Sequence, residues 1–351
     1  MPGRTSSPLL STRRRAGSGE ERGGASWCYD DHLAVGSMQE TMMLNDLPLV
    51  PHSPPAIPPP WRVVLFTDFA GEAVIMARQL LEAMGHKLVG IVTSPGPRGR
   101  GRGTHLDIVA AAPRGTDVLV SNRPAHWAAM LAPLRPDLIV SASFPWVIPD
   151  DVIALPRLGA INLHGGLLPE RRGPNSFGWA YRLGDPEVGF TVHWLESGLD
   201  TGPILGQLRV PTGDGYFDEL LPTLFAQLPG LMAGALAKVA AGDPGAPQDE
   251  SQAFYASDFD EEYRLIDWGR PASEVHNQCR AWMALGRGGN PGAIGIVDGQ
   301  ALRILRTRVT AGDPTASAGS VLQRDGDTLV VQCGDGALLV PEHAPVSIPA
   351  E

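Results

Sequence analysis

Two hydrophobic patterns predict an α/β protein with a Rossmann-like parallel-sheet domain, followed by a small β-barrel domain of the OB type. From Trp61, short apolar runs alternate with segments whose apolar residues recur at helical spacing, which is typical of parallel strand–helix units. Towards the C-terminus, short alternating runs separated by turn signals are typical of a small open barrel. A chain of 351 residues suits two such domains. We expect them at 61–248 and 249–351.

The N-terminal extension, residues 1–60, has few periodic apolar residues and is rich in Ser, Gly, Arg and Pro. Such a segment buries too little apolar surface to offset the conformational entropy that it loses on ordering. We expect it to be disordered, or to precede a true translation start at Met38 or Met42.

Apolar runs and the breaks between them predict the elements of the first domain. A helix over 72–84 ends before Gly85, a favourable C-terminal cap. No G-x-G-x-x-G follows the first strand, where residues 67–71 read TDFAG, so a nicotinamide-dependent dehydrogenase is not expected. The other predicted elements are strands at 63–66, 88–92, 118–120 and 138–141 and a helix at 127–134.

A long helix over 220–241 and a linker at 242–248 separate this domain from the second one. A helix over 274–283 opens the second domain, and Asp298-Gly and Asp325-Gly are hairpin turn signals. The predicted strands of the barrel are 293–297, 302–309, 319–323, 328–332 and 337–340.

Composition limits the partners and the compartment. A formal net charge of −10 weakens attraction to nucleic acid or to an anionic membrane. Cys28, Cys279 and Cys333 are scattered and form no C-x-x-C pair, which fits a reduced cytoplasm and predicts no metal site. We find no apolar run near the roughly 18 residues that cross a bilayer. A cytoplasmic protein without a membrane partner is therefore expected.

Polar residues at the end of one short strand indicate the reaction. Residues 159–169 read GAINLHGGLLP, and strand alternation directs Asn162 and His164 to the same side. Asp200 follows on a glycine-flanked loop, 198–203. An amide donor, an imidazole and a carboxylate suit a reaction that builds negative charge on a carbonyl oxygen. We interpret this group as an acyl-transfer site.

The spacing of these motifs resembles the signature of the 10-formyltetrahydrofolate-dependent formyltransferase family. The resemblance extends from about Trp61 to the C-terminus and includes a tail domain of the kind found in its methionyl-tRNA formyltransferase branch. It implies that 10-formyltetrahydrofolate is the co-substrate and that Asn162, His164 and Asp200 are catalytic. The motifs that carry it are 162–164 (NLH), 167–169 (LLP), 172–173 (RG), 189–193 (GFTVH) and 199–204 (LDTGPI).

The family's chemistry implies direct attack of a neutral amine on the formyl carbon, since no Cys or Ser nucleophile stands beside His164 in the motif. Asn162 and a charged His164 are expected to stabilise the oxyanion, while Asp200 orients the ring and assists proton removal.

An apolar loop after the fourth strand predicts the folate pocket. The family uses the equivalent loop for the pterin ring, although Phe144 and Trp146 could instead be ordinary core residues. Gly166 stands where the family usually has Ser, so one potential hydrogen bond to the substrate is lost. The expected folate contacts are Phe144, Trp146, Ile148, Gly166, Leu167, Leu168, Pro169 and Leu199.

Three further polar residues are expected at the substrate: Arg172, Asn175 and His193, the last in a supporting role. The loop 97–103 (PRGRGRG) lacks the Lys-Ser/Thr ending of a P-loop. We expect a flexible basic loop, and its resemblance to Arg-Gly loops of tRNA formyltransferases implies either an anion contact or simple solvation.

The sequence leaves the identity of the formyl acceptor open. Residues 258–351 hold no lysine, and their acids outnumber their eight arginines, which disfavours a polyanion such as tRNA. We therefore expect a small-molecule amine, such as an amino sugar or an amino-acid-derived metabolite. The alternatives are formylation of initiator Met-tRNA, a folate-binding module without turnover, and a folate deformylase.

Overall fold

The computed structural model describes residues 59–69, 71–94, 104–284 and 292–346. The expected disorder of residues 1–58 and the nature of the basic loop 97–103 lie outside the described residues, so both stay predictions.

The first domain is built on a seven-stranded mixed sheet with strand order β3-β2-β1-β4-β5-β6-β7. Strands β1 to β5 run parallel, whereas β6 is antiparallel to both β5 and β7. The strands are β1 (Arg62–Thr67), β2 (Lys87–Thr93), β3 (Asp117–Val120), β4 (Leu138–Ala142), β5 (Ala160–His164), β6 (Glu187–Trp194) and β7 (Ile204–Pro211). Parallel strands covered on both faces read as continuous apolar runs, as in the sequence of β1. The Rossmann-like α/β expectation is confirmed.

Two apolar cores lie on opposite faces of this sheet. Alternate residues of β1 divide between them, with Val63 and Leu65 in one and Val64 and Phe66 in the other. The helices are α1 (Gly71–Ala83), α2 (Thr104–Ala111), α3 (Trp127–Leu131), α4 (Asp150–Ile153), α5 (Ser176–Leu183) and α6 (Phe217–Ala241). The helix predicted over 127–134 ends early because Pro133 follows α3, and a 3-10 turn takes its place.

Helix α6 is long and apolar enough to cross a bilayer by length and composition, which corrects our expectation that no such run exists. It contains Pro222 and Pro229 and packs buried leucines against β7, with Leu224 and Leu228 beside Leu208. Its more C-terminal Leu236 joins the core that contains Val63. In this fold α6 is therefore a helix that covers the sheet.

The second domain is a five-stranded antiparallel sheet with order β10-β11-β12-β9-β8, preceded by α7 (Ala272–Ala284). Its strands are β8 (Ala293–Val297), β9 (Gln300–Thr310), β10 (Val321–Asp325), β11 (Thr328–Gln332) and β12 (Ala337–Pro345). The predicted hairpin at Asp298-Gly299 is confirmed, because both residues have positive φ, 49° and 76°. The strand predicted from Gly319 starts only at Val321, since Gly319 has a φ of 84°.

The two sheets are joined by α5 packed on α7 and by a hydrogen-bonded tyrosine. The Tyr216 hydroxyl, at the start of α6, lies 2.9 Å from Thr307 Oγ1 and accepts the Thr307 backbone N–H at 2.8 Å. The segment before the second domain also contacts the first: Phe254 and Ala256 exchange backbone hydrogen bonds with Arg172. The boundary between 248 and 249 stays a prediction.

We predict that Tyr216→Phe lowers the free energy of unfolding by about 1–3 kcal/mol, because it leaves the buried Thr307 N–H without an acceptor. Urea denaturation measures this. Tyr263→Phe is the matched control, since the Tyr263 hydroxyl has no hydrogen bond among the described residues; its change should stay within about 0.5 kcal/mol. Equal effects of both variants would contradict the assigned role of the Tyr216 bond.

Candidate active site

The candidate site lies where β5 ends beside β6. The antiparallel register sets Asn162 opposite His193 and His164 opposite Thr191. Asn162 and His164 are two residues apart on β5, so their side chains share one face, as the sequence predicted. The Asn162 amide nitrogen Nδ2 lies 3.2 Å from His193 Nε2. The strand pairing therefore places two imidazoles and one amide side by side.

Asp200 enters this group from the loop between β6 and β7. Its backbone is in the left-handed region, with φ 55°, which turns the carboxylate towards the strand ends. Oδ2 lies 3.5 Å from His164 Nδ1 and accepts the Gly173 N–H at 2.9 Å, and Oδ1 lies 3.6 Å from His193 Nε2. The structure thus brings together all three residues that the sequence predicted as catalytic, with His193 as a fourth member.

The side chains of Asp200 and His164 are both buried, and their pKa values depend on this burial and on the groups that face them. Burial would raise the pKa of Asp200, but the His164 and His193 imidazoles and the Gly173 N–H hold that pKa well below its usual value. Burial lowers the pKa of His164 against the opposing effects of the Asp200 carboxylate and the Arg171 carbonyl. Asp200 is therefore ionised, and His164 loses its proton more readily than a free imidazole.

His193 fixes the orientation of the Asn162 amide. His193 Nδ1 lies 2.7 Å from the Trp194 carbonyl oxygen, which can only accept, so Nδ1 carries the hydrogen. A neutral His193 ring accepts one hydrogen of Asn162 Nδ2 at Nε2, whereas a charged ring donates from Nε2 to Asp200 Oδ1 instead. The second hydrogen of Nδ2 has no acceptor among the described residues. Asn162 is thus held with one donor available to a ligand.

The other side of His164 has two partners that the sequence did not identify. Nε2 lies 2.6 Å from the Arg171 carbonyl oxygen and 3.1 Å from Ser176 Oγ. Ser176 begins α5 and donates its own hydrogen to the Gly173 carbonyl at 2.9 Å. Of the stretch 174–176 the sequence pointed only to Asn175, and a backbone carbonyl leaves no signal in the residue types.

Two glycines permit these close approaches. A Cβ on Gly166 would lie 2.6 Å from Ser176 Cβ and 2.9 Å from both His164 Nε2 and the Arg171 oxygen. Gly173 has a φ of 95°, which directs its N–H at Asp200. Position 166, where the family usually has serine, is glycine here. The Ser176 side chain occupies the space that a side chain at position 166 would need.

The loop 166–169 is held by polar side chains that the sequence analysis also missed. Thr191 Oγ1 donates to the Gly166 carbonyl at 2.7 Å and accepts the Leu168 N–H at 3.2 Å. Gln207 donates to the Leu168 carbonyl at 2.7 Å. Both anchors come from the antiparallel strands β6 and β7, so this edge of the sheet fixes the loop that follows His164.

The predicted substrate residues Arg172 and Asn175 are engaged within the protein. Arg172 forms a salt bridge with Glu250 and hydrogen bonds to Gln248 Oε1. The Gln248 amide nitrogen in turn donates to the Asp200 carbonyl at 2.8 Å. Asn175 Nδ2 donates to the Ser257 carbonyl at 3.2 Å. This geometry favours positioning of the Asp200 loop and α5 by these residues over direct contact with a substrate.

The predicted folate contacts divide into exposed and buried side chains. Leu199 is 40% exposed beside Asp200, and Phe144 and Trp146 are half-buried at the end of β4, packed on Trp127. Trp146 also donates its indole N–H to Ser94 Oγ at 2.8 Å. The side chains of Ile148, Leu167 and Leu168 are buried, and Pro169 is half-buried. Leu199, Phe144 and Trp146 are thus the accessible apolar surfaces.

A pocket of about 230 Å³ adjoins Gly166 and Ser176, between α5 and strands β6 and β7. Its lining mixes apolar and charged groups, including an ion pair of 2.5 Å between Arg171 and Asp185. Within the described residues, no group of three or more His, Cys, Asp or Glu side chains has the geometry of a metal site.

Comparison with known proteins matches each of the two domains to a model of the same family. The family model "Formyl transferase" matches residues 62–219, and "Formyl transferase, C-terminal domain" matches residues 259–347. The methionyl-tRNA formyltransferase of Pelobacter propionicus is 34% identical over 275 residues, which are 75% of this chain and 83% of that protein. The methionyl-tRNA formyltransferase of Pseudomonas paraeruginosa is 36% identical over 279 residues, 77% of this chain and 88% of that protein.

Among solved structures, the N-formyltransferase of Helicobacter canadensis, bound to folinic acid and dTDP-3-aminofucose, superposes with a TM-score of 0.59. It is 13% identical, and the match covers 81% of this chain and 100% of that one. At this identity the likeness concerns the fold alone.

We predict that Asp200→Asn changes how the free energy of unfolding depends on pH. A carboxyl whose pKa is depressed by folding stabilises the fold above its unfolded pKa, and this stabilisation is lost as pH falls through the folded value. Below about pH 4, stability should therefore fall less steeply in Asp200→Asn than in the natural sequence. Urea denaturation between neutral pH and the acid limit of reversibility measures the two slopes. Parallel curves would contradict the buried ionised carboxylate.

Proposed function

The chain belongs to the formyl transferase family and is a 10-formyltetrahydrofolate-dependent formyltransferase; we propose that its acceptor is the α-amine of the methionine on initiator Met-tRNA. The observation that carries this proposal is the similarity to methionyl-tRNA formyltransferases, at 34–36% identity over three quarters or more of the chain. A cytoplasmic location accords with that function.

This similarity overturns our expectation of a small-molecule acceptor, which rested on the acidity of residues 258–351. Net charge is summed over a domain, whereas phosphate binding depends on local cations. Several acids of the second domain are already engaged with arginines, as in the pairs Arg270–Glu274 and Arg324–Asp298. Arg303 and Arg308 on β9 make no ion pair within the part of the chain that the structure describes. The charge count therefore did not exclude an RNA substrate.

Asn162 is the donor that we assign to the formyl oxygen. One hydrogen of Nδ2 is used by His193, and the other is available beside His164 and Asp200. When the amine attacks, the carbonyl oxygen becomes an oxyanion, and a fixed donor beside the buried His164 and Asp200 side chains stabilises that charge strongly. The usual effect of such a donor is about 100- to 1000-fold in rate.

We assign to His164 the transfer of one proton. Burial lowers the pKa of His164, which favours the neutral ring, and we assign the neutral ring to the state that receives the proton. Nδ1 accepts a proton from the amine as the new C–N bond forms, and then donates it to N10 of tetrahydrofolate as the C–N10 bond breaks. The amine loses one proton and N10 gains one, so the transfer balances without a covalent enzyme intermediate.

Asp200 stabilises the charge that His164 acquires. Its depressed pKa keeps the carboxylate ionised, and Oδ2 lies 3.5 Å from Nδ1. A carboxylate at this position favours the imidazolium that forms between the two proton transfers. In that state the charged ring also adds to the stabilisation of the oxyanion beside Asn162.

We predict that Asn162→Ala, His164→Ala and Asp200→Ala each lower kcat by about 100-fold or more, the usual scale for such groups. The measurement is release of tetrahydrofolate from 10-formyltetrahydrofolate, with charged initiator Met-tRNA as acceptor. Ser320→Ala, which removes a half-buried hydroxyl of the second domain whose partner is the Ser317 carbonyl, serves as the control. Near-normal turnover of His164→Ala would refute the assigned chemistry. Turnover with an amino sugar and none with Met-tRNA would refute the acceptor.

A second prediction concerns the folate surface. Leu199→Asp places a charge on an exposed apolar side chain, so we expect KM for 10-formyltetrahydrofolate to rise about tenfold or more while kcat changes little. Leu265→Asp is the matched control, because Leu265 is also exposed but lies before α7. Equal KM values for the two variants would place the folate elsewhere.

A further inference from the structure

The hydrogen-bond partners of His164 determine which of its nitrogens can exchange a proton. A backbone carbonyl oxygen only accepts, so the Arg171 carbonyl at 2.6 Å requires a hydrogen on Nε2. The opposite nitrogen, Nδ1, faces Asp200 Oδ2 at 3.5 Å, which is longer than a hydrogen bond. In the neutral ring Nδ1 therefore carries no hydrogen, and the Asp200 carboxylate lies where it can stabilise a proton gained there.

Ser176 supplies a second acceptor for the same hydrogen. Its hydroxyl hydrogen is directed to the Gly173 carbonyl at 2.9 Å, which leaves the oxygen lone pairs facing His164 Nε2 at 3.1 Å. The Ser176 side chain is buried, so water does not compete for this position. A serine hydroxyl with its own hydrogen committed in this way acts as an acceptor.

Gly166 makes this arrangement possible. A side chain at position 166 would lie within 2.9 Å of His164 Nε2 and 2.6 Å of Ser176 Cβ, so a residue there would displace one of the two. The hydroxyl that is missing from position 166 is thus matched by one at position 176, which approaches the same imidazole from α5.

We propose that Ser176 is a positioning residue: together with the Arg171 carbonyl, it keeps a hydrogen on Nε2 of His164, so that Nδ1 alone takes and returns the proton during formyl transfer. This proposal rests on the proposed role of His164 in proton transfer. Removal of the hydroxyl leaves the Arg171 carbonyl as the remaining acceptor at Nε2. The preference for hydrogen on Nε2 is then weaker, and the ring samples more of the tautomer with hydrogen on Nδ1, in which no base faces the amine.

The groups around the His164 ring predict how loss of the Ser176 hydroxyl changes the pKa of His164. Asp200 and His193 face His164 from the β6–β7 loop and from β6, and the Ser176 oxygen and the Arg171 carbonyl face Nε2. An acceptor at Nε2 favours the charged ring over the neutral one. Loss of the Ser176 oxygen should therefore move the titration of His164 to lower pH.

The direct test is NMR of the full chain labelled with ¹⁵N-histidine, in which ring nitrogens with and without hydrogen have different chemical shifts. The His164 signals are identified by their loss in His164→Gln. Above the pKa of His164, we expect hydrogen on Nε2 and none on Nδ1. Hydrogen on Nδ1 in the natural protein would overturn the proposal, whatever the acceptor proves to be, because this measurement needs no substrate.

The kinetic test compares Ser176→Ala, Ser176→Thr and the control Ser320→Ala with the natural sequence. We expect Ser176→Ala to lower kcat about three- to tenfold, with the acid limb of the kcat profile at lower pH and KM for 10-formyltetrahydrofolate unchanged. Ser176→Thr retains the hydroxyl and should restore the position of the limb. A loss of kcat without movement of the limb would reduce Ser176 to a structural residue and overturn the proposal.

The two tests also separate this proposal from the proposed function. If no acceptor is formylated but the tautomer is as expected in the natural protein and changes in Ser176→Ala, the acceptor assignment fails and the role of Ser176 in fixing the tautomer stands. If Met-tRNA is formylated and Ser176→Ala behaves as the natural sequence does, the acceptor assignment stands and the role of Ser176 in fixing the tautomer fails.

Discussion

One buried carboxylate determines the arrangement of the site. Asp200 lies within 3.6 Å of two imidazoles and accepts a backbone hydrogen bond from Gly173, and these contacts keep it ionised away from water. Burying an unpaired charge would be costly, so the neighbouring groups are constrained to face it. The antiparallel β5–β6 pairing, the loop after β5 and the chain around Gln248 all contribute to this one environment. The chemistry that we propose depends on it.

The sequence predicts the elements because periodicity is local. Strands β8 and β11 have the predicted bounds, and α1 differs from its prediction by one residue at each end. Alternation along β5 also predicted that Asn162 and His164 would act together. The missed features are long-range: Gln207 contacts a carbonyl 39 residues away, and Arg172 contacts Gln248, 76 residues away. No local pattern encodes such contacts, nor the Arg171 backbone carbonyl that lies 2.6 Å from His164 Nε2.

The expectation of a small acceptor failed for a physical reason. The formal charge is a sum over the whole tail domain, whereas phosphate contacts depend on individual cations such as Arg303 and Arg308 on β9. Relatives that span both domains are methionyl-tRNA formyltransferases, and this ordered similarity outweighs a sum over charges. The proposed site chemistry is independent of the acceptor, since the roles that we propose for Asn162, His164 and Asp200 concern the formyl group and any amine that reaches it.

The most direct test of the account is a crystal structure of the protein with a non-transferable analogue of 10-formyltetrahydrofolate. We expect the formyl oxygen within hydrogen-bonding distance of Asn162 Nδ2, and the formyl carbon on the side of His164 that presents Nδ1. A formyl group bound away from Asn162, or facing Nε2 of His164 with Ser176 displaced, would contradict the account.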